Sequence, residues 1–149
     1  MEITTPVSSL LSRKSGQIWS ISPEVTVFEA ISLMAEKNIG ALPVLGDGRL
    51  LGIISERDYT RKVILHGRVS RETRVGEIMA VDLVTVTPSD SVQKCLRLIT
   101  ENHVRHLPVI EGDRMVGLLS IGDLVNWTIA TQKSAIEDLT NFVTGAYPA

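Results

Sequence analysis

The sequence predicts an α+β protein with α/β-type layers. It is built from two β-α-β-β-α repeats packed sheet to sheet about a pseudo-twofold axis. Three observations carry this. Shifted by 65 residues, the 149-residue chain aligns with itself without gaps, residues 18–59 falling on 83–124. Each copy holds an apolar stripe at helical spacing, then two short apolar runs around a Gly/Asp turn. A unit this small cannot bury both faces of a two- or three-stranded sheet alone, so the copies must cover one another.

The self-match is dense. Pro23 falls on Pro88, Val27 on Val92, Leu33 on Leu98 and Glu36 on Glu101. Leu42-Pro43-Val44 falls on Leu107-Pro108-Val109, Arg49 on Arg114, Gly52 on Gly117, Ser55 on Ser120 and Asp58 on Asp123. Two lead-in segments echo each other as well, Val7-x-x-Leu10-Leu11 and Val75-x-x-Ile78-Met79.

Each element has a local cause. A short strand over residues 18–21, and again over 83–86, runs toward a proline. Thr26 followed by Glu29 is a capping box, and Ser91 is the cap of the second copy. Val27, Ala30, Ile31, Met34 and Ala35 then recur at helical spacing. The runs 41–45 and 50–54 flank Gly46-Asp47-Gly48, whose Asp-Gly step supplies the positive φ of a hairpin. The matching turn is Glu111-Gly112-Asp113. Ser55 and Ser120 open a second helix each, reaching about residues 65 and 130. The repeats therefore span 7–65 and 75–131, joined by a polar, basic, exposed linker over 66–74. A helical tail over 132–149 carries Ile136, Leu139, Phe142 and Val143 as a stripe that must pack on its own chain or a partner.

Composition removes several function classes. With 15 basic and 17 acidic residues, net charge −2, there is no general electrostatic case for nucleic acid. The basic stretch from Arg57 to Arg74 has six positive against two negative residues, but aromatic stacking partners are scarce at 4%. It reads as a solvated helix face and linker, or as a source of Arg61 or Lys62 for ligand phosphates. No 18-residue apolar run suggests a membrane span. A start of Met1-Glu2-Ile3 lacks the basic, apolar pattern of a signal peptide, and a single cysteine cannot form an internal disulfide, so a cytoplasmic setting is expected. Cys95 falls in the apolar pattern of Val92, Leu96 and Ile99 and reads as core. His103 and His106 lie three apart, but no CxxC, HExxH or carboxylate cluster completes a metal site, and no metal is expected. No phosphate-binding Gly-x-x-x-x-Gly-Lys loop or nucleophile elbow points to catalysis.

The doubled unit closes in Gly52-Ile53-Ile54-Ser55-Glu56-Arg57-Asp58 and Gly117-Leu118-Leu119-Ser120-Ile121-Gly122-Asp123. With the steps Ile39-Gly40-Ala41-Leu42-Pro43 and Val104-Arg105-His106-Leu107-Pro108, it resembles a tandem cystathionine-β-synthase (CBS) domain pair of the stand-alone bacterial kind. The resemblance covers about residues 7–131. It implies a non-catalytic sensor of adenine nucleotides (AMP, ATP or NAD/NADH), bound in the cleft between the repeats. It also implies a homodimer and a separate effector protein. The competing readings are an interaction adaptor with vestigial sites and a nucleotide-processing enzyme.

The motif residues suit that ligand. A helix N-terminus at Ser55 or Ser120 offers unpaired N–H groups and a partial positive charge to phosphate. Asp58 and Asp123, one turn on, are carboxylates able to accept both hydroxyls of a ribose. They would repel a 2′-phosphate, placing NADP below NAD or AMP. Ser-x-x-Asp taken once is a helix cap, and the two roles can coexist. Adenine wants a flat apolar slot with backbone hydrogen bonds. The candidates are the first-strand stretches with Ser20 and Thr85, and the steps leading to the prolines: Gly40 and Ala41 before Pro43, and Val104, Arg105 and His106 before Pro108. The prolines, lacking N–H, would open the sheet edge there. Phosphate cations differ between copies. Copy one has Arg57 where copy two has Gly122, and copy two has Arg105-His106 where copy one has Gly40-Ala41. Two non-equivalent sites are expected. Trp19, at the first strand, is placed to touch a base, and Trp127, in the last helix, is placed in the core or at a dimer face.

Overall fold

A computed structural model describes residues 4–14 and 17–144 of the chain. Residues 1–3, the end of the predicted tail at 145–149, and the side chains of Phe142 and Val143 lie outside the described residues. The elements run α1 (Val7–Leu11), α2 (Val27–Lys37), β1 (Ala41–Gly46), β2 (Arg49–Ser55), α3 (Glu56–Asp58), a π-helical stretch (Tyr59–Ile64), α4 (Val75–Ile78), α5 (Val92–Asn102), β3 (His106–Glu111), β4 (Arg114–Ser120) and α6 (Ile121–Thr144).

The two long repeat helices form for the same reasons. At α2 the Thr26 hydroxyl accepts from the Glu29 N–H at 3.2 Å, and at α5 the Ser91 hydroxyl accepts from Lys94 N–H at 3.1 Å. The return bond from the Glu29 carboxylate, which would complete the expected box, is absent among the described residues. Val27, Ala30 and Met34 bury one face of α2; Val92, Cys95 and Ile99 bury the same face of α5. Both helices end on a left-handed residue, Asn38 at φ 55° and His103 at φ 53°. Asn and His are among the residues that enter that conformation most readily, and it stops the helix.

Each copy then folds back as an antiparallel hairpin, with Leu42 opposite Ile54 and Leu107 opposite Leu119. All four of these side chains are fully buried, each worth about 1.5–3 kcal/mol relative to exposure. The turns match the expectation. Asp47 and Gly48 both have positive φ (51° and 75°), and Gly112 has φ 63°. The predicted first strands are shorter than expected. Each makes one parallel bridge, Ile21 to Val44 and Val86 to Val109. Ile21 N–H donates to the Pro43 carbonyl at 3.1 Å, and its carbonyl accepts from Leu45 N–H at 2.9 Å. The next rung, at Trp19, would need an N–H on Pro43, which proline lacks. Pro108 ends the second ladder in the same way, after Val86 has donated to its carbonyl at 3.0 Å.

The lead-in helices are exchanged between the cores. Val7 and Leu10 of α1 pack with Val92, Cys95, Leu107 and Leu119 of the second copy. Val75 and Ile78 of α4 pack with Val27, Leu42, Val44 and Ile54 of the first. Backbone bonds secure each transfer: Val7 N–H to Asp90 carbonyl (2.8 Å) and Val92 N–H to Thr5 carbonyl (2.8 Å), against Val75 to Val25 (2.9 Å) and Val27 to Thr73 (2.8 Å). The glycines of the two repeat motifs make room for this. A Cβ on Gly52 would lie 2.6 Å from the Ala80 carbonyl, and one on Gly117 would lie 2.5 Å from a Leu11 methyl. The predicted linker over 66–74 is exposed along most of its length and docks on the first copy near its end. Thr73 is buried, and the carbonyls of Thr73 and Ser70 accept from the first-turn N–H groups of α2.

The second helices of the two copies differ, contrary to the symmetric expectation. After α3 the first copy opens into π turns, with Leu65 N–H reaching the Thr60 carbonyl at 3.2 Å, and Gly67 follows at φ 66°. In the second copy no Gly or Pro interrupts residues 123–144, so the predicted helix and tail become one 24-residue helix, α6. Because α1 is a structural part of the second core, replacing Leu10 with alanine is expected to cost about 2–5 kcal/mol, read by urea unfolding. Hydrogen exchange should quicken first in α5 and β3 rather than in α2 and β1; faster exchange confined to α2 would contradict the exchanged packing.

Candidate functional site

The shortened ladders and exchanged lead-ins leave two clefts between the repeats, related by the same pseudo-twofold. The first, about 490 Å³, has Trp19, Gly40, Ala41 and Pro43 on one wall and Ser120 and Asp123 on the other. The second, about 540 Å³, sets Val84, Val104, Arg105 and Pro108 against Ser55, Arg57 and Asp58. Each cleft therefore joins the proline step of one copy to the Ser-x-x-Asp motif of the other. Gly40 and His106 border both.

Three predicted site residues line neither cleft: Ser20, Thr85 and Gly122. Ser20 and Thr85 are exposed. Side chains alternate along an extended segment, so the cleft-facing neighbours are Trp19 and Val84. Gly122 is exposed on the first turn of α6. Arg57 and Arg105, expected to serve separate sites, converge on the second cleft. Arg61 and Lys62, an open alternative in the sequence, border it too.

Several lining residues were not assigned to the clefts from the sequence. Asn38 and His103 sit at equivalent positions of the repeat, each ending its helix at a cleft rim. The 65-residue offset could have found them. Lys14 and Asp82 follow the two lead-ins at matching places, and each lines one cleft. The echo of the lead-ins was visible, but the folding of each onto the opposite copy was not.

The Ser-x-x-Asp motifs are closed caps. Ser55 N–H and hydroxyl both donate to Asp58 Oδ2 (3.0 and 2.9 Å), and Asp58 N–H donates to Ser55 Oγ (3.1 Å). Ser120 N–H donates to Asp123 Oδ2 at 2.8 Å, and Asp123 N–H to Ser120 Oγ at 3.1 Å. The following amides are engaged as well, Glu56 with the Gly40 carbonyl (3.1 Å) and Ile121 with that of Arg105 (2.8 Å). The N–H groups expected to greet a phosphate are therefore mostly occupied.

A lysine steadies each aspartate, but from different elements. Lys62, one turn along the chain, lies 3.1 Å from Asp58 Oδ1 and donates to the Ile78 carbonyl at 2.9 Å. Lys14, from the lead-in, lies 2.7 Å from Asp123 Oδ2 and donates to the Leu118 carbonyl at 2.8 Å. Burial would raise the Asp123 pKa; the Lys14 ammonium and the Ser120 N–H outweigh it and hold the carboxyl below its ordinary value. Asp123 is thus an anion at neutral pH, able to accept hydroxyls. Burial lowers the His106 pKa, against the opposing pull of Asp123, so the imidazole between the clefts is neutral near pH 7. Trp19 has the Lys37 ammonium 4.1 Å from its ring centroid, and Trp127 packs on the second core with Arg13 4.5 Å away. Cys95 is buried, its thiol pushed up to about 11 by burial, as suits a core residue. Among the described residues no group of three or more His, Cys, Asp or Glu could hold a metal, and no helix is long and apolar enough to cross a membrane.

Two repeats, exchanged lead-ins and a pair of inter-repeat clefts define a tandem-repeat module. The CBS domain family model matches residues 7–64 and 75–129. The chain belongs to the CBS-domain family. A CBS domain-containing protein of Arabidopsis thaliana, CBSX3 (mitochondrial), is 37% identical over 97% of this chain and 74% of its own length. The structure of a putative signal-transduction protein with CBS domains from Burkholderia ambifaria is 46% identical, with TM-score 0.83 over 86% of this chain and 96% of that one. A CBS domain pair solved with 5′-methylthioadenosine and S-adenosyl-L-methionine shares the fold at 21% identity, with TM-score 0.76 over 86% of this chain and 98% of that one. CBS pairs are regulatory modules.

The His106 environment sets a pH dependence. Its folded pKa lies below the ordinary value of 6.5, so the unfolded chain takes up the proton first. Stability contributed by the neutral imidazole is complete above about pH 6.5 and is lost as pH falls from there toward the folded pKa. Denaturation midpoints followed downward from pH 7 should fall less steeply in His106→Asn than in the parent chain. Parallel slopes would show that His106 charges freely in the fold.

Proposed function

We propose that the chain is a non-catalytic regulatory module that binds an adenine nucleotide (AMP, ATP or NAD/NADH) in the clefts between its repeats and passes the bound state to a separate effector protein. The observation that carries this reading is the crossed construction of the clefts. A nucleotide whose ribose meets Asp123 reaches the Trp19 and Pro43 wall of the other repeat, and one held by Asp58 reaches Val84 and Pro108. Binding therefore ties the two copies together and favours one relative arrangement, which is what coupling to a partner requires. Support for the base comes from the missing rung at each proline. The Trp19 carbonyl has no backbone donor among the described residues, and it stands at the cleft wall beside apolar surface.

A homodimer fits the same reading. Val125, Ile129, Ile136 and Leu139 of α6 are exposed at 43%, 57%, 64% and 66%, spaced along one side of the helix. A second copy would cover that row. A cytoplasmic setting is part of the same proposal.

A thermal-shift panel of adenosine, AMP, ATP, NAD and NADH tests the proposal. A ligand at 100 times its Kd should stabilise the fold by about 2.7 kcal/mol, several degrees for a chain of this size. The shift should disappear in the double variant Asp58→Ala, Asp123→Ala. No shift with any member of the panel would instead favour an interaction adaptor, and conversion of the ligand, seen by chromatography, would favour an enzyme.

A further inference from the structure

We infer that the two clefts divide ligands by phosphate number: the second cleft holds the di- or triphosphate end of a nucleotide, and the first takes ligands with at most one phosphate. The inference rests on the adenine-nucleotide reading above and assigns it to particular side chains.

Phosphate cannot rely on the motif amides, because most of those N–H groups are already hydrogen-bonded. It must therefore be met by cations, and the clefts differ in which cations are available. In the second cleft Arg57 is half-buried, and its Nε is buried with no hydrogen-bond partner. Its side-chain hydrogen bond among the described residues is a long one, from Nη1 to the His103 carbonyl at 3.4 Å. A buried guanidinium N–H without an acceptor is costly, and a phosphate oxygen is the acceptor that its planar fork fits best. Arg61 and Arg105 are exposed on the walls of the same cleft, and neither is ion-paired among the described residues. Three carboxylates share this cleft, so what sets it apart is its guanidinium forks rather than its net charge. Asp58 is matched by Lys62 at 3.1 Å, while Glu56 and Asp82 are exposed to solvent.

Among the described residues the cationic side chains of the first cleft are two lysines, and both are engaged. Lys14 bonds Asp123 and the Leu118 carbonyl, and Lys37 sits over the Trp19 ring. No arginine lines it. A single phosphate could draw one lysine from its present partner. A triphosphate would find no fork, and each further charge would go without a partner.

Calorimetric titration of the full chain with adenosine, AMP, ADP, ATP and inorganic tripolyphosphate, at low and at moderate salt, tests this. One class of site should bind ATP at least about tenfold more tightly than AMP, the gain expected from one or two added charge-assisted bonds. The advantage should shrink with salt. In Arg57→Ala with Arg61→Ala the ratio of ATP to AMP affinity should fall toward one; Arg105→Ala, at an exposed position, should lower it by itself. Melting temperature without ligand checks that the variants fold. If adenosine and AMP bind but ATP is no tighter, the division by phosphate number is wrong and the adenine reading stands. If tripolyphosphate binds at the arginines and adenosine and AMP do not bind, the anion site stands and the adenine reading fails. An ATP preference that survives loss of the arginines overturns the assignment to the second cleft.

Discussion

Val7 and Leu10 lie at the centre of the second repeat, and Val75 and Ile78 at the centre of the first. Each repeat thus completes its core with the lead-in helix of its partner repeat. Two small hairpins with one long helix apiece do not enclose enough apolar surface to stand alone. The exchanged helices supply the missing face. They also bind the copies into one body, because neither core is whole without a segment that is continuous with the other. Gly52 and Gly117 mark where the strands meet these lead-ins, too close for a Cβ.

The clefts follow from that arrangement and from two prolines. Pro43 and Pro108 end the parallel ladder after a single bridge, so the chain before Ile21 and Val86 peels away from its sheet. The opening is lined by backbone and apolar side chains, and the motif of the opposite repeat closes it. Ser55–Asp58 and Ser120–Asp123 serve first as helix caps. Capping fixes the carboxylates in place, which is a precondition for their use in recognition.

Pseudo-symmetry holds for the backbone and fails for the charges. Lys62 and Lys14 do the same work for their aspartates from unrelated places in the chain. Where Lys62 stands in the first copy, Trp127 stands in the second, and where Lys14 follows one lead-in, Asp82 follows the other. The second helices diverge in the same way, into π turns on one side and a long exposed α6 on the other. One scaffold thus carries two chemically different clefts and one extended face.

Much of this was legible in the residues. The 65-residue repeat, the caps at Thr26 and Ser91, the Asp47-Gly48 turn and the buried Cys95 are local or periodic properties, decided by backbone preference and by which face must leave water. Ser55, Asp58, Ser120 and Asp123 were legible as helix caps for the same reason, since their spacing is set within one helical turn. What the sequence could not decide were pairings between segments distant along the chain. The exchange of α1 and α4, the meeting of Arg57 with Arg105 in one cleft, the salt bridge of Lys14 to Asp123 and the outward turn of Ser20 and Thr85 depend on which surfaces cover each other. Burial is a property of the packed whole, and only tertiary structure selects among the partners that each apolar face and each charge could satisfy.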